Sequence, residues 1–261
     1  MSRVYFIGAG PGDPELMTLK GARIISGADL ILYAGSLVNP VVLDRAKEGA
    51  EIHDTAKMDL DEIVHLMVTA VAEGKMVARL HTGDPAFYGA IFEQMVELDR
   101  YEIPFEVVPG VSAASAAAAA LRQELTIPGL SQTVILTRRE GRTPVPEKER
   151  LSLLAGHNAT MVIFLSIGMI EKVVADLQEA YRRDTPCAVV YRAGWPDEKI
   201  LEGRLDTIAA QVREAEIDRQ ALIVVGDVLD PVLKTIDRFP RSKLYDRHFS
   251  HGYRRGKDED S

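Results

Sequence analysis

The stretch Val4-Tyr5-Phe6-Ile7-Gly8-Ala9-Gly10-Pro11-Gly12-Asp13-Pro14-Glu15-Leu16 decides how the rest of the chain is read. Residues 4–7 form a short apolar run, the mark of a buried strand in a mostly parallel sheet. Three glycines and two prolines then fall within seven residues, a density that no strand or helix interior tolerates. Asp13 stands where a helix N-cap belongs, with Pro14 at the first helical position. Such a turn either lets a ligand approach bare backbone at the carboxyl end of a sheet or is simply tight. A dinucleotide fingerprint would carry glycine where this chain has Asp13, a negative charge in the place of a pyrophosphate. Pro11 removes an N–H donor from the turn, and no Gly-Lys-Ser/Thr follows it. The loop therefore predicts an adenosine-like ligand without a phosphate.

Working outward, strand and helix signals alternate. A helix is expected over residues 19–28 and a strand over 30–33. Asp59 caps a helix whose Ile63, Leu66, Met67, Ala70 and Val71 recur at helical spacing, and Gly74 closes it. A strand over 76–80 runs into Thr82-Gly83-Asp84-Pro85, followed by a helix over 86–98 and a strand over 105–108. Pro109-Gly110 breaks that strand, and Ser112 caps an alanine-rich helix over 113–121. This alternation predicts a parallel α/β sheet. A break near residues 125–129 opens a second half, with strands at 134–137, 161–165, 188–192 and 222–225 and helices at 170–181 and 205–215. Residues 199–205 alternate as an edge or antiparallel strand does, so the second sheet is expected to be mixed. The expected organisation is α/β throughout: an N-terminal domain over 1–122, a C-terminal domain over 123–235 and a polar tail over 236–261.

Composition narrows the function classes. The 261 residues suffice for a large core, and 46% hydrophobic with 27% charged residues is ordinary for a globular chain. No apolar run approaches a membrane span, and no basic-then-apolar signal segment opens the chain. The single cysteine, Cys187, excludes a disulfide framework and points to a reducing compartment, the cytoplasm. His53, His65, His81, His157, His248 and His251 have no metal-ligand spacing with cysteine, so no metal is expected. A net charge of −8 argues against broad nucleic-acid binding.

The segments Gly83-Asp84-Pro85 and Val107-Val108-Pro109-Gly110-Val111-Ser112 repeat the logic of the opening loop, each ending a strand and preceding a helix. Together the three resemble the tetrapyrrole methylase family. Narrower features are similar to the branch that methylates carbon C11 of precorrin-4 on the route to vitamin B12. They are Tyr33-Ala34-Gly35-Ser36-Leu37-Val38, residues 138–146, Tyr191-Arg192-Ala193-Gly194-Trp195-Pro196-Asp197-Glu198 and Ser250-His251-Gly252-Tyr253-Arg254. The resemblance runs from Val4 to about Arg254. It implies two α/β domains with S-adenosylmethionine in the cleft between them, S-adenosylhomocysteine as product, and a homodimer. It also implies cofactor contacts at Pro11, Thr82, Gly83, Asp84, Phe87, Ser112, Ala113, Leu165, Ala193 and Ala221. Other family members carry an arginine where this chain has Ala90, so an arginine-assisted step there is not carried over. Asp84 is the one candidate for an essential polar group, the alternative being a cap on the following helix. The remaining readings are methylation of cobalt-precorrin-4 or of another precorrin carbon, and a non-catalytic sensor of an adenosine ligand.

A precorrin carries many carboxylates, so a net-negative chain must bind it through local positive charge. Arg138, Arg139 and Arg142 form the densest such cluster and precede a self-neutralising Glu147-Lys148-Glu149-Arg150 run. Arginine's planar fork suits carboxylates; the alternative is a solvated loop. The tail, with Tyr245, Phe249 and Tyr253, is more aromatic than solvation requires and is expected to order against a partner subunit or across the cleft.

Overall fold

The computed structural model describes residues 2–35, 37–235 and 242–256. It divides into two compact units, Met1–Ala120 with Arg192–Lys199, and Leu121–Tyr191 with Ile200–Ser261. The segment Arg192–Lys199, which sequence order puts in the second half, thus clusters with the first unit.

In the first unit the order is β1 (Val4–Gly8), α1 (Leu19–Ile25), β2 (Leu30–Tyr33), β3 (Glu51–Asp54), α2 (Leu60–Ala72), β4 (Val77–His81), α3 (Ile91–Arg100), β5 (Phe105–Val108) and α4 (Ala113–Ala120). The strands lie in the order β3-β2-β4-β1-β5, and every pair is parallel. Both faces are covered, which is why the central strands read as unbroken apolar runs. Val4, Phe6, Leu30, Leu32 and Val77 pack with Met67, Val71 and Leu98 of α2 and α3. Ile7, Ile31, Ala78 and Leu80 face the other way, against Ile24 and Ile25 of α1 and Val38 and Val42. The connection after β1 therefore leaves over one face and the connection after its neighbour β4 over the other. Their carboxyl ends make a topological switch point, the place where open α/β sheets bind ligands.

Local signals were mostly realised. Asp59 and Glu62 form a complete capping box on α2, and Gly74 follows it at φ 82°. Asp13 caps a 3-10 turn, Pro14–Leu16, while Thr18 caps α1 itself. The helix expected over 86–98 begins only at Ile91. Residues 85–90 instead form a turn in which Tyr88 and Ala90 take positive φ, and Gly89 lies against the Pro85 carbonyl where a Cβ would not fit. The strand β3 carries no apolar sequence signal, because it is a polar, largely exposed edge.

The second unit runs β6 (Val134–Arg138), α5 (Leu151–Ala155), β7 (Thr160–Phe164), α6 (Ile170–Leu177), β8 (Pro186–Tyr191), β9 (Lys199–Arg204), α7 (Ile208–Glu214) and β10 (Ala221–Val225). Its strand order is β6-β7-β10-β8-β9. The sheet is mixed, as expected: β6 and β7 are parallel, while β10 runs antiparallel to both β7 and β8. Met161, Ile163, Val189, Ile223 and Val225 form its core with Ile170, Val173 and Leu177 of α6 and Ile208 and Val212 of α7. In the tail, Arg254 donates to the Leu244 and Asp246 carbonyls, and His251 and Arg254 form an isolated bridge. Residues 236–241 and 257–261 of the expected tail, and Ser36 of the segment 33–38, lie outside the described residues.

Candidate functional site

Three loops meet at the carboxyl edge of the first sheet because β4, β1 and β5 are neighbours in register, Ile7 standing beside both Leu80 and Val108. Gly10 and Gly83 exchange backbone hydrogen bonds, Gly83 N–H to Gly10 O at 2.7 Å and Gly10 N–H to Gly83 O at 3.3 Å. Both adopt positive φ, 78° and 62°, which is what requires glycine there. Gly8 and Gly110 are needed for another reason. A Cβ on Gly8 would lie 2.5 Å from the Gly110 Cα, and one on Gly110 would lie 2.7 Å from the Gly8 Cα and nearer still to the Gly83 carbonyl oxygen.

Asp84 ties the loops together. Its Oδ1 accepts from the Ala86 N–H at 2.8 Å and its Oδ2 from the Gly110 N–H at 3.0 Å, so both carboxylate oxygens are engaged. It does not cap a helix, since α3 starts seven residues later behind Ala90, which makes no side-chain cap bond. The Ser112 Oγ accepts from the Ala114 N–H at 3.2 Å at the start of α4, and Asn39 Nδ2 donates to the Gly12 carbonyl at 2.7 Å. Pro11 and Ala193 are buried, Ser112 and Ala113 half-buried, and Thr82 and Phe87 exposed.

Beneath this edge lies a buried polar row. Arg79 Nε donates to Gln94 Oε1 and its Nη1 to Thr55 Oγ1, each at 3.1 Å. Burial without a carboxylate partner lowers the Arg79 pKa to about 10, so the guanidinium stays charged at neutral pH. His81 is pushed down to about 3, first by burial and then by the Arg79 charge, with a backbone hydrogen bond at Gly89 working the other way. The imidazole is therefore neutral, and its Nε2 is buried without a hydrogen-bond partner.

The second sheet gathers its candidates at one edge as well. Arg138 ends β6 and Leu165 follows β7, its parallel neighbour. The register that sets Ile223 beside Ile163 brings Ala221, at the start of β10, to the end of β7 next to Leu165. Leu165 is 68% exposed and sits at φ 52°, a conformation leucine rarely adopts. Ser166 behind it is buried; its Oγ donates to the Phe164 carbonyl at 2.7 Å and accepts from the Arg139 N–H at 2.9 Å. Arg138 donates to the Thr143 and Pro144 carbonyls at 3.2 and 2.7 Å, folding its loop back on itself. Arg139 Nε donates to Asp176 Oδ2 at 2.6 Å. Arg142 is exposed and, among the described residues, makes no side-chain hydrogen bond or ion pair. No group of three or more His, Cys, Asp or Glu among the described residues could hold a metal ion. No helix among them is long and apolar enough to cross a membrane.

The profile of the tetrapyrrole (corrin/porphyrin) methylases matches residues 3–209. The chain belongs to this family. It is 55% identical over 254 residues to the cobalt-precorrin-4 C(11)-methyltransferase of Methanocaldococcus jannaschii, covering 97% of this chain and 96% of that one. With the precorrin-4 C(11)-methyltransferase of Pseudomonas aeruginosa it shares 47% over 253 residues, covering 97% and 99%. Among solved structures, a cobalt precorrin-4 methyltransferase of cobalamin biosynthesis superposes with a TM-score of 0.86 at 51% identity, covering 88% of this chain and 96% of that chain. The uroporphyrin-III C-methyltransferase of Thermus thermophilus in complex with S-adenosylhomocysteine gives 0.72 at 30% identity, covering 87% and 93%. The pair of α/β units described above is thus the tetrapyrrole methylase fold, and S-adenosylhomocysteine is a ligand bound within the family.

Of the residues expected to hold the cofactor, the first unit contains Pro11, Thr82, Gly83, Asp84, Phe87, Ser112, Ala113 and Ala193, and the second Leu165 and Ala221. The buried row of Arg79 and His81 and the Asn39–Gly12 hydrogen bond are given only by the fold. The signal for Arg79 and His81 was a charged and an ionisable residue at alternate positions of an otherwise apolar strand, both on the face that packs on α3.

Proposed function

We propose that the chain moves the methyl group of S-adenosylmethionine to carbon C11 of precorrin-4, leaving precorrin-5 and S-adenosylhomocysteine, in corrin biosynthesis. The observation that carries this reading is that relatives matching nearly the whole chain share this one activity. One is named for the cobalt-bearing substrate and one for the metal-free form, so cobalt, where present, belongs to the substrate.

A phosphate-free adenosyl ligand fits the first unit's edge. Asp13 places a carboxylate there, Pro11 has no N–H, and residues 8–13, 82–87 and 110–113 contain no lysine or arginine. When bound, S-adenosylmethionine supplies a sulfonium methyl already activated for transfer. The work left to the chain is alignment of two reactants, which by itself can lower a barrier by about 7–11 kcal/mol. Pro11, Thr82, Gly83, Phe87, Ser112, Ala113, Leu165, Ala193 and Ala221 are assigned to holding the donor. Asp84 is assigned a positioning role, because both oxygens of its carboxylate are committed to the Ala86 and Gly110 amides. We keep the homodimer in this reading; light scattering that returns a monomer removes it.

The experiment is mass spectrometry of reactions given precorrin-4 or cobalt-precorrin-4, with and without the donor. A mass gain of one methyl with at least one of them, matched by S-adenosylhomocysteine, is the expected result. No methylated product from either ends the assignment.

For the substrate carboxylates, Arg142 is proposed as the direct contact, with Arg138 and Arg139 shaping the loop that presents it. Arg142→Ala should lower kcat/KM about tenfold or more, through KM for the tetrapyrrole, because a charge-assisted hydrogen bond contributes ~1.5–3 kcal/mol. S-adenosylhomocysteine affinity should not change. Unaltered kinetics would mean that Arg142 only faces solvent.

A further inference from the structure

The segment Tyr191-Arg192-Ala193-Gly194-Trp195-Pro196-Asp197-Glu198 contains the chain's single tryptophan, and its contacts give that residue a task. Trp195 Nε1 donates to the Pro11 carbonyl at 3.0 Å, across 184 positions of sequence. The indole edge presses on the bare Cα of Gly12 so closely that a Cβ there would lie within 2.8 Å of Trp195 Cγ, with two further ring atoms nearer. Gly194, at φ 79°, brings its own backbone against Asp13, where an added Cβ would lie 3.2 Å from the Asp13 nitrogen.

The hook that carries the ring is braced from within. The Arg192 guanidinium stacks 3.9 Å from the indole centroid and pairs with Asp197 at 2.6 Å. Glu198 Oε2 accepts from the Gly194 N–H at 2.8 Å, and the Trp195 N–H donates to the Arg192 carbonyl at 2.9 Å. On the opening loop the Gly12 carbonyl is already taken by Asn39 and the Pro11 carbonyl by Trp195. Two side-chain donors thus fix the carbonyls of the very residues that begin the ligand edge.

We propose that Trp195 is a positioning residue for the methyl donor, holding Pro11 and Gly12 in the shape that the donor binds. A loop ordered beforehand spares the ligand the cost of ordering it, so the indole acts on donor affinity without being required to touch the reacting atoms. The proposal rests on the reading that the opening loop takes an adenosyl sulfonium donor.

Because Trp195 is the single tryptophan, its emission is a reporter of this contact. The experiment titrates S-adenosylhomocysteine into the wild type and into Trp195→Phe and Trp195→Ala, by calorimetry in all three and by tryptophan emission in the wild type. The expected results are an emission change that saturates with the calorimetric isotherm and a loss of affinity of about three- to tenfold in Trp195→Phe, the worth of one hydrogen bond. Trp195→Ala should lose more, and KM for the tetrapyrrole should stay put in Trp195→Phe while KM for the donor rises. Undiminished affinity in Trp195→Phe overturns the proposal whatever the emission does. Absence of binding to the wild type is a different failure: it removes the donor reading of the opening loop, and this inference with it.

Discussion

Gly110→Ala is expected to lower the stability of the first unit by about 3 kcal/mol and to abolish binding of S-adenosylhomocysteine. The added methyl has nowhere to go, because backbone surrounds it: the Gly8 Cα within 2.7 Å, and the Gly83 carbonyl oxygen closer still. Side chains can swing away from an intruding atom, but these neighbours belong to β1 and to the loop after β4, which are held by ladder bonds and by the Gly10–Gly83 pair. The Gly110 N–H is also the donor to Asp84 Oδ2, so a shift of Gly110 releases that tie as well. Urea unfolding followed by Trp195 emission reports on this unit, to which Trp195 belongs. Gly252→Ala is the control, since nothing lies within 4 Å of a Cβ there. Equal midpoints for the two variants would show that the three loops are not packed as described.

Acid should destabilise the protein through His81. Its pKa in the folded state is about 3, set by burial and the Arg79 charge, against 6.5 for a free imidazole. Between those values the unfolded chain binds a proton that the native state refuses, so stability rises with pH across this window and is lost as pH falls below about 6.5. The slope from this one group approaches about 1.4 kcal/mol per pH unit below pH 6.5, a loss of about 2 kcal/mol between pH 6.5 and 4.5. Carboxylates titrate in the same range, and comparison with His81→Gln removes their common contribution. The variant's stability should fall less steeply over pH 6.5–4.5 than that of the wild type, whatever its absolute value. Parallel curves would mean that His81 gains a proton in the folded protein.

Much of this protein was legible locally. Residues 4–16 announced a strand, a glycine-rich turn and a cap, Asp59 with Glu62 announced the start of a helix, and the strand–helix alternation announced α/β units. These features are encoded over a few neighbouring residues, where apolar period, caps and turn glycines act directly on the backbone. The polar edge strand β3 and the late start of α3 were missed because the first lacks an apolar signal and the second depends on strained turn residues.

Everything that depended on which strands become neighbours had to wait for the fold. Three Gly-containing loops were visible in sequence, but only the order β3-β2-β4-β1-β5 makes Gly8, Gly83 and Gly110 touch and gives Asp84 two amide partners instead of a helix to cap. Three arginines looked alike in the sequence; the fold commits Arg138 to carbonyls of its own loop and Arg139 to Asp176. Trp195 and Pro11 are 184 positions apart, and no periodicity relates them. The amino-acid sequence by itself determined most of the elements and the family. The tertiary structure decided the pairings, because strand order and side-chain partnership are set by burial and hydrogen bonding between segments that are remote in the chain.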